Sequence, residues 1–218
     1  MRRIAVSQRV LAAQPRAERR DALDQAWGPC LEALGLLAVP VPNALRDPQA
    51  WALALQIDGL LLTGGNHAGG DPAHHADAAP ERDATERQLL HLAQARRWPV
   101  LAVCRGLQML NLHLGGQLVP VEGHVAQRHA LQRLPGAGPL LRGLPDALEV
   151  NSFHQFGIAP GGLAPALQAG WADADGQVEA AEHRQLPWLG IMWHPERETA
   201  LRAHDRHLIH SLFTPPPP

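Results

Sequence analysis

The chain lacks lysine and tyrosine, and it is poor in cysteine, aromatic residues and net charge. All 19 basic residues are arginine, aromatic residues make up 4% of the 218 residues, and the formal net charge is -2. So small a net charge gives no reason to expect nucleic acid or an anionic membrane as a partner. We attribute the missing lysine and tyrosine, beside abundant alanine, to coding bias rather than to function.

Further absences concern the cellular compartment. The two cysteines, Cys30 and Cys104, are too few for a disulfide framework. No apolar run approaches the roughly 20 residues of a membrane span. The N-terminal Met1-Arg2-Arg3-Ile4 leads directly into a strand-like run, with no signal-type apolar stretch. We therefore expect a cytoplasmic protein.

Residues 98–116 combine a strand pattern with a helix pattern, and a cysteine lies at their junction. The apolar run 100–103 predicts a buried strand, and apolar residues at helical spacing follow until Gly115-Gly116. Gly106 leaves room for a tight turn between the two elements. Cys104 would then lie on a strand-to-helix elbow, where the first helical N–H groups favour a thiolate.

A buried structural cysteine is the alternative, since free cysteine is commonly a core residue. That interpretation holds for Cys30, which lies on the apolar face of a predicted helix. For Cys104, the Cys-x-Gly-x-Gln pattern and a later His194-Pro195-Glu196 favour a nucleophile.

The rest of the chain alternates short apolar runs with helical patterns, which predicts an α/β fold: a single-domain open, mostly parallel sheet with helices on both faces. The domain is expected to cover residues 1–213, followed by a disordered proline tail at 214–218. The remaining expectations are strands at 3–7, 36–41, 57–63 and 188–193, helices at 18–34, 51–55 and 199–213, a helix capped by Asp83, an irregular segment at 122–138, and a hairpin of 167–172 with 178–183.

The Cys104-Arg-Gly-Leu-Gln-Met-Leu-Asn run resembles the class I glutamine amidotransferase domain, and within it the free-standing gamma-glutamyl hydrolases. The resemblance covers nearly the whole chain and implies a flavodoxin-like three-layer sandwich. One departure is Ala102, where the family usually has glycine. Because alanine is the smallest substitute, we expect a slightly altered elbow and no lost activity.

The resemblance implies a catalytic triad of Cys104, His194 and Glu196. His194 would exchange protons with the thiol and the leaving amine, and Glu196 would orient its ring. By the same resemblance, the backbone N–H groups of Gly65 and Arg105 would form the oxyanion hole, with Gly64 allowing the turn. The expected reaction is hydrolysis of a gamma-glutamyl amide through a thioester, with no metal or organic cofactor.

The resemblance also suggests which residues bind the glutamyl group. Gln108 lies one turn into the elbow helix, and Ser152 and Phe153 lie in a segment that grips the glutamyl part of the substrate. His154 either polarises the leaving group or only orders its loop. The polar loop 67–80 carries His67, His74, His75, Asp71 and Asp77, but its spacing matches no closed zinc pattern, so no metal site is expected.

The leaving group is left open by the sequence. Similarity to gamma-glutamyl-CDP-amidate hydrolases is ranked slightly ahead of similarity to gamma-glutamyl-gamma-aminobutyrate hydrolases, and Gln8, Arg9 and Arg20 are candidates to meet a nucleotide phosphate. The alternatives are a glutaminase that delivers ammonia to a separate synthetase chain and a catalytically silent binding protein. A homodimer is a further open expectation.

Overall fold

A nine-stranded sheet is the centre of the computed structural model, which describes residues 1–13, 18–70 and 73–214. The strands are β1 (Arg2–Val6), β2 (Arg9–Ala13), β3 (Glu18–Ala22), β4 (Leu36–Pro40), β5 (Gly59–Leu62), β6 (Val100–Val103), β7 (Val119–Pro120), β8 (Val125–Arg133), β9 (Ala147–Phe153), β10 (Phe156–Gly157), β11 (Leu167–Ala172), β12 (Val178–His183) and β13 (Trp188–Ile191). The helices are α1 (Trp27–Glu32), α2 (Pro48–Ala54), α3 (Pro80–Arg96), α4 (Arg105–His113) and α5 (Ala203–Phe213).

The large sheet is half parallel and half antiparallel. Its order is β4-β1-β5-β6-β13-β12-β11-β8-β9, and the pairs from β4 to β13 are parallel. The pairs from β13 to β9 are antiparallel and include the predicted hairpin of β11 and β12. The expected α/β fold is confirmed, with the parallel half bearing the strand-to-helix elbow.

The central parallel strands are buried on both faces, as expected for a sheet with helices on each side. Every residue of β5, β6 and β13 is buried. Successive residues point to opposite faces: Leu101 and Val103 pack with α1 and α5, whereas Val100 and Ala102 pack with α2, α3 and α4. Two hydrophobic cores therefore lie on the two faces of one sheet.

The predicted helix at 18–34 is wrong over its first half. Residues 18–22 form β3, which pairs with β2 in a separate hairpin, and only Trp27–Glu32 is helical. The carboxylate of Asp21 accepts hydrogen bonds from the backbone N–H of Asn43 and from its side-chain amide. Backbone pairing with β2 and the hydrogen bonds between Asp21 and Asn43 therefore replace the predicted helix over residues 18–22.

The prediction of an irregular segment at 122–138 is also wrong, because this segment contains the long strand β8. Most of its residues are exposed, so the strand lacks the alternating apolar pattern that identifies a strand in a sequence. Its hydrogen-bond partners are β9 and β11. The C-terminal helix begins at Ala203 rather than at 199, and residues 215–218 of the predicted tail lie outside the described residues.

Across the described ranges, no helix has the length and apolar character needed to cross a bilayer.

The start of α4 is packed directly against β5, and this contact requires a glycine. A Cβ atom on Gly106 would lie 2.3 Å from the backbone oxygen of Leu62. Gly106→Ala is therefore expected to lower the free energy of unfolding by about 1–3 kcal/mol, as overpacking does. Urea denaturation measures it.

Gly28→Ala is the matched control. Gly28 lies in α1, and a Cβ atom there would have no neighbour within 4 Å. This substitution is expected to raise the free energy of unfolding by about 0.5–1 kcal/mol, because alanine favours a helix. Equal effects of the two substitutions would contradict the packing argument.

Candidate active site

The backbone at Cys104 has the strained geometry of an elbow. Its φ of 53° and ψ of -109° are rare for a residue with a side chain. Its N–H donates to the backbone oxygen of Ile191 at 2.7 Å, and its carbonyl oxygen accepts from Gln108 N–H at 3.1 Å. Bonds to β13 on one side and to α4 on the other hold Cys104 in this conformation at the carboxyl end of β6.

His194 and Glu196 follow β13, the strand that pairs with β6. The Nδ1 atom of His194 lies 2.6 Å from Oε1 of Glu196, and both side chains are buried. Burial lowers the pKa of His194, but the negative charges of Cys104 and Glu196 outweigh burial and raise that pKa to about 9. His194 can therefore hold a proton at neutral pH.

Asn151 holds the backbone of His194, a role that the sequence analysis missed. Its Oδ1 accepts from the N–H of His194 and its Nδ2 donates to the carbonyl oxygen of His194, each at 2.8 Å. Phe153, two residues later, packs edge-on against the His194 ring with centroids 5.8 Å apart. The β9 strand thus fixes the position of the imidazole.

The loop after β5 contributes two glycines to the same edge of the sheet. A Cβ atom on Gly64 would lie 2.7 Å from Cε1 of His194, so only glycine allows the ring to pack there. Gly65 has a φ of +81°. Neither the N–H of Gly65 nor that of Arg105 donates a hydrogen bond to another described residue, so both are available to an oxyanion.

Arg82 determines how the glycine loop is oriented, although it was not a predicted site residue. Its fully buried guanidinium donates to the backbone oxygen of Thr63 at 2.7 Å, of Gly64 at 3.1 Å and of Gly65 at 2.6 Å. Because N–H and C=O point in opposite directions across a trans peptide, the bond to the Gly64 oxygen turns the N–H of Gly65 away from Arg82.

The same network reaches the elbow through two acidic residues of α3. Glu86 accepts from Arg82 Nε at 2.8 Å and also pairs with Arg105, which in turn pairs with Asp83. Burial raises the pKa of Glu86, but the two arginines outweigh burial and hold that pKa below its usual range. Burial raises the pKa of Asp83 despite the charge of Arg105.

The predicted capping role of Asp83 is wrong. The helix α3 begins three residues earlier, at Pro80, and the side chain of its N-cap residue, Ala79, makes no capping hydrogen bond. Asp83 instead accepts from the backbone N–H of Gly69 at 2.8 Å and pairs with Arg105. Its partners are distant in sequence, so local spacing did not reveal them.

A cavity of about 680 Å³ opens over Cys104. Of the predicted site residues, its walls include Gly65, Cys104, Arg105, Gln108, Phe153 and His154. The side chain of Ser152 does not line this cavity, because it is buried and its hydroxyl donates to the backbone oxygen of His124 at 2.8 Å. Gln108 reaches the rim, where its Nε2 donates to the Phe156 oxygen at 2.8 Å.

The polar loop at 67–80 lies along this cavity. His67, His74, His75 and Asp77 are among its lining residues, and the His67 and His75 rings stack with centroids 3.8 Å apart. Asp71, the remaining member of that predicted group, lies outside the described residues.

A smaller adjoining cavity of about 210 Å³ is lined by Arg9, Gly65, His194 and Glu196 among others. Of the residues proposed to meet phosphate, Arg9 lies nearest the glycine loop: a Cβ on Gly65 would be 3.2 Å from Arg9 Nε. Arg20 pairs with Glu18 at the surface, and the side chain of Gln8 donates to the Val41 oxygen.

The central sheet, with an elbow, a glycine loop and a histidine at the carboxyl ends of its parallel strands, defines a class I glutamine amidotransferase-like fold. A glutamine amidotransferase from Thermotoga maritima has the same fold, with a TM-score of 0.66 at 15% sequence identity, over 89% of this chain and 76% of that one.

Sequence comparison narrows the class to a family. The Peptidase C26 profile matches residues 4–196, and the chain belongs to that family. It is 33% identical to gamma-glutamyl-gamma-aminobutyrate hydrolase of Escherichia coli O157:H7 over 207 residues, covering 83% of this chain and 80% of the relative. It is 26% identical to gamma-glutamyl-CDP-amidate hydrolase of Campylobacter jejuni, covering 91% and 92%. The predicted resemblance is confirmed, and the chain is a hydrolase.

The two cysteines are expected to differ sharply in reactivity. Burial, followed by the charges of Glu196 and Asp205, raises the pKa of Cys30 to about 12, whereas Cys104 faces the cavity beside His194. Iodoacetamide at pH 7.5 should label Cys104 at least 100-fold faster than Cys30, as followed by mass spectrometry.

The control variants are Cys30→Ala, which should keep the fast-labelling site, and Cys104→Ala, which should abolish it. Equal, slow labelling of both thiols would argue for a catalytically silent scaffold.

The raised pKa of His194 depends on its two neighbours, and this dependence is measurable without substrate. In wild type the ring should titrate near pH 9. In Cys104→Ala and in Glu196→Gln it should titrate at lower pH, because each substitution removes a negative charge while burial still disfavours the imidazolium. NMR of the ring protons reports this titration.

An unchanged His194 titration in Cys104→Ala would show that the thiol and the imidazole do not interact. His91→Gln, in an exposed position on α3, is the control that should leave the titration unchanged.

Proposed function

We propose that the protein hydrolyses a gamma-glutamyl amide to glutamate and an amine, with Cys104, His194 and Glu196 as the catalytic triad. The observation that carries the proposal is the strained elbow at Cys104 beside a buried, hydrogen-bonded His194–Glu196 pair. The membership of the Peptidase C26 family and the names of two relatives support the gamma-glutamyl substrate class.

In the first half of the reaction, the Cys104 thiolate attacks the gamma-carbonyl carbon and the oxygen gains a negative charge. The N–H groups of Gly65 and Arg105 stabilise this oxyanion, each by about 3–4 kcal/mol if they act as ordinary oxyanion-hole donors. His194 gives its proton to the leaving nitrogen, the C–N bond breaks, and a gamma-glutamyl thioester remains.

In the second half, water attacks the thioester carbon and gives a proton to His194. The C–S bond breaks, glutamate leaves, and Cys104 returns as a thiolate beside the imidazolium. Glu196 accepts the Nδ1–H of His194 throughout, which keeps Nε2 directed at the reacting atoms. None of these steps uses a metal or an organic cofactor.

For the glutamyl group, we propose contacts with Gln108, Phe153 and His154, which are among the residues that line the cavity. Ser152 would contribute through its backbone, because its hydroxyl is already used by His124. Gln108 belongs to α4 and Phe153 to the end of β9, so two separate elements supply these contacts.

The leaving group is proposed to be an amine that carries negative charge. The cavity of about 680 Å³ is in the range of sites that hold ligands larger than glutamine, which favours a larger amide over a glutaminase. The guanidinium of Arg9 lies beside Gly65, and its Nε is buried without a hydrogen-bond partner. Both a phosphoramidate of CDP and gamma-aminobutyrate carry an anionic group that Arg9 can bind.

We propose that the enzyme acts on a small molecule in the cytoplasm. A thiolate nucleophile is preserved in a reducing compartment, which supports the cytoplasm as its location.

Glutamate release from a panel of amides tests the proposed function. Gamma-glutamyl-CDP-amidate and gamma-glutamyl-gamma-aminobutyrate are expected to be cleaved faster than glutamine. Cys104→Ala should reduce release to background, and His194→Gln should reduce kcat by about 10³-fold or more, because the acid and base are lost. Enzymatic assay of glutamate measures each rate.

Arg9→Gln distinguishes the leaving groups in the same assay. It should raise KM for the anionic amides about tenfold or more and leave glutamine cleavage little changed, whereas Arg96→Gln, at the exposed end of α3, should alter neither. Release from glutamine alone would favour a glutaminase. If no amide released glutamate and Cys104 were also unreactive, the proposal that the protein is an enzyme would be refuted.

A further inference from the structure

A group of buried polar atoms near β8, β9 and β12 has no hydrogen-bond partner. They are His124 Nδ1, His154 Nε2 and both carboxylate oxygens of Glu179, and within the described ranges none of them makes a hydrogen bond. The side chains of His154 and Glu179 are 2% and 1% exposed. Buried polar atoms are almost always satisfied, and among the described residues these atoms face only one another and His129, at ion-pair distances of 3.4–3.9 Å. The space between them therefore suits a bound ion.

The distances suit a metal ion. Nε2 of His154 lies 3.4 Å from Oε1 of Glu179, and Nδ1 of His124 lies 3.9 Å from the same oxygen. The three ligand atoms all lie within 4.8 Å of one another. Ligands bound tetrahedrally to zinc at about 2.0–2.2 Å are about 3.3–3.6 Å apart, so movements of less than about 1 Å would complete the site.

Each histidine also has an acceptor for its outer ring nitrogen. Nε2 of His124 lies 3.4 Å from Oδ2 of Asp173, and Nδ1 of His154 lies 3.0 Å from the Phe156 carbonyl oxygen. Such acceptors keep the proton on the outer nitrogen and leave the inner lone pair for a metal. The Asp173 carboxylate is itself held, because its Oδ1 accepts from the N–H groups of Asp175 and Gln177.

The geometry points to a binding site for one divalent transition-metal ion, with His124, His154 and Glu179 as ligands. Two imidazoles and one carboxylate suit Zn²⁺ or Fe²⁺ better than Mg²⁺ or Ca²⁺, which prefer oxygen ligands. His129 holds the far side of the carboxylate, since its Nε2 lies 3.4 Å from Oε2 of Glu179.

The ion has a structural role in this arrangement. His154 lines the cavity over Cys104, and its backbone N–H donates to the His124 carbonyl oxygen at 3.0 Å. An ion that joins His154 to β12 therefore fixes the end of β9 beside the active site. It is separate from the triad and enters no catalytic step.

Metal binding is tested in Cys104→Ala, because a thiol beside a histidine binds Zn²⁺ by itself. After incubation with Zn²⁺ and dialysis, this protein should retain one equivalent by elemental analysis, and Zn²⁺ should raise its Tm. Co²⁺ in place of Zn²⁺ should give visible bands of a four-coordinate site without a thiolate charge-transfer band.

Ligand variants in the same background locate the ion. Glu179→Gln and His124→Gln should weaken Zn²⁺ binding by about 100-fold or more, and Asp173→Asn, which removes only an outer acceptor, by about 10–100-fold. His91→Gln, at a surface histidine, should leave binding unchanged. If Glu179→Gln does not fold, the Zn²⁺ affinities of Asp173→Asn and His124→Gln still show whether the ion lies at this site.

No retained ion and no change in Tm would overturn the proposal, since histidine protons or water would then satisfy the buried atoms. Equal binding by the ligand variants would also overturn it, because the ion would lie on other histidines. Loss of glutamate release leaves this binding assay unaffected, so the metal site and the proposed reaction fail independently.

Discussion

The buried ion network of Arg82, Glu86, Arg105 and Asp83 is the interaction on which the site depends. Two guanidinium groups and two carboxylates in the interior are stable only while every partner is present, because an uncompensated buried charge is costly. Arg82 holds the carbonyl oxygens of the glycine loop, and Arg105 is the residue after Cys104. Through this network, the two backbone donors of the proposed oxyanion hole belong to one rigid unit.

Sheet topology brings the remaining groups to the same unit. The strands β5, β6 and β13 are parallel neighbours, so their carboxyl ends lie at one edge and carry the glycine loop, Cys104 and His194 respectively. Glu196 then holds the imidazole of His194, and Asn151 holds the backbone of the same residue. The antiparallel half of the sheet extends this edge. Of the proposed metal ligands, His124 directly precedes β8, His154 directly follows β9 and Glu179 lies in β12.

Elements whose stabilising contacts are local were predicted well from the sequence. The elbow at Cys104 and the hairpin of β11 and β12 combine a short apolar pattern with a turn signal. The helix predicted at 18–34 and the irregular segment at 122–138 were wrong for a common reason. Both segments contain strands that are mostly exposed, so neither β3 nor β8 has the alternating apolar pattern that identifies a strand in a sequence.

The sequence by itself determined the strand-to-helix elbow at Cys104, the His194-Pro195-Glu196 end of the last parallel strand and the glycines that such close packing requires, because residue type and spacing encode these features locally. Only the tertiary structure decided the partners of Asp83, the role of Arg82 and the meeting of His124, His154 and Glu179. These residues come from separate elements, and sheet pairing over long sequence separations brings their charges and lone pairs into contact.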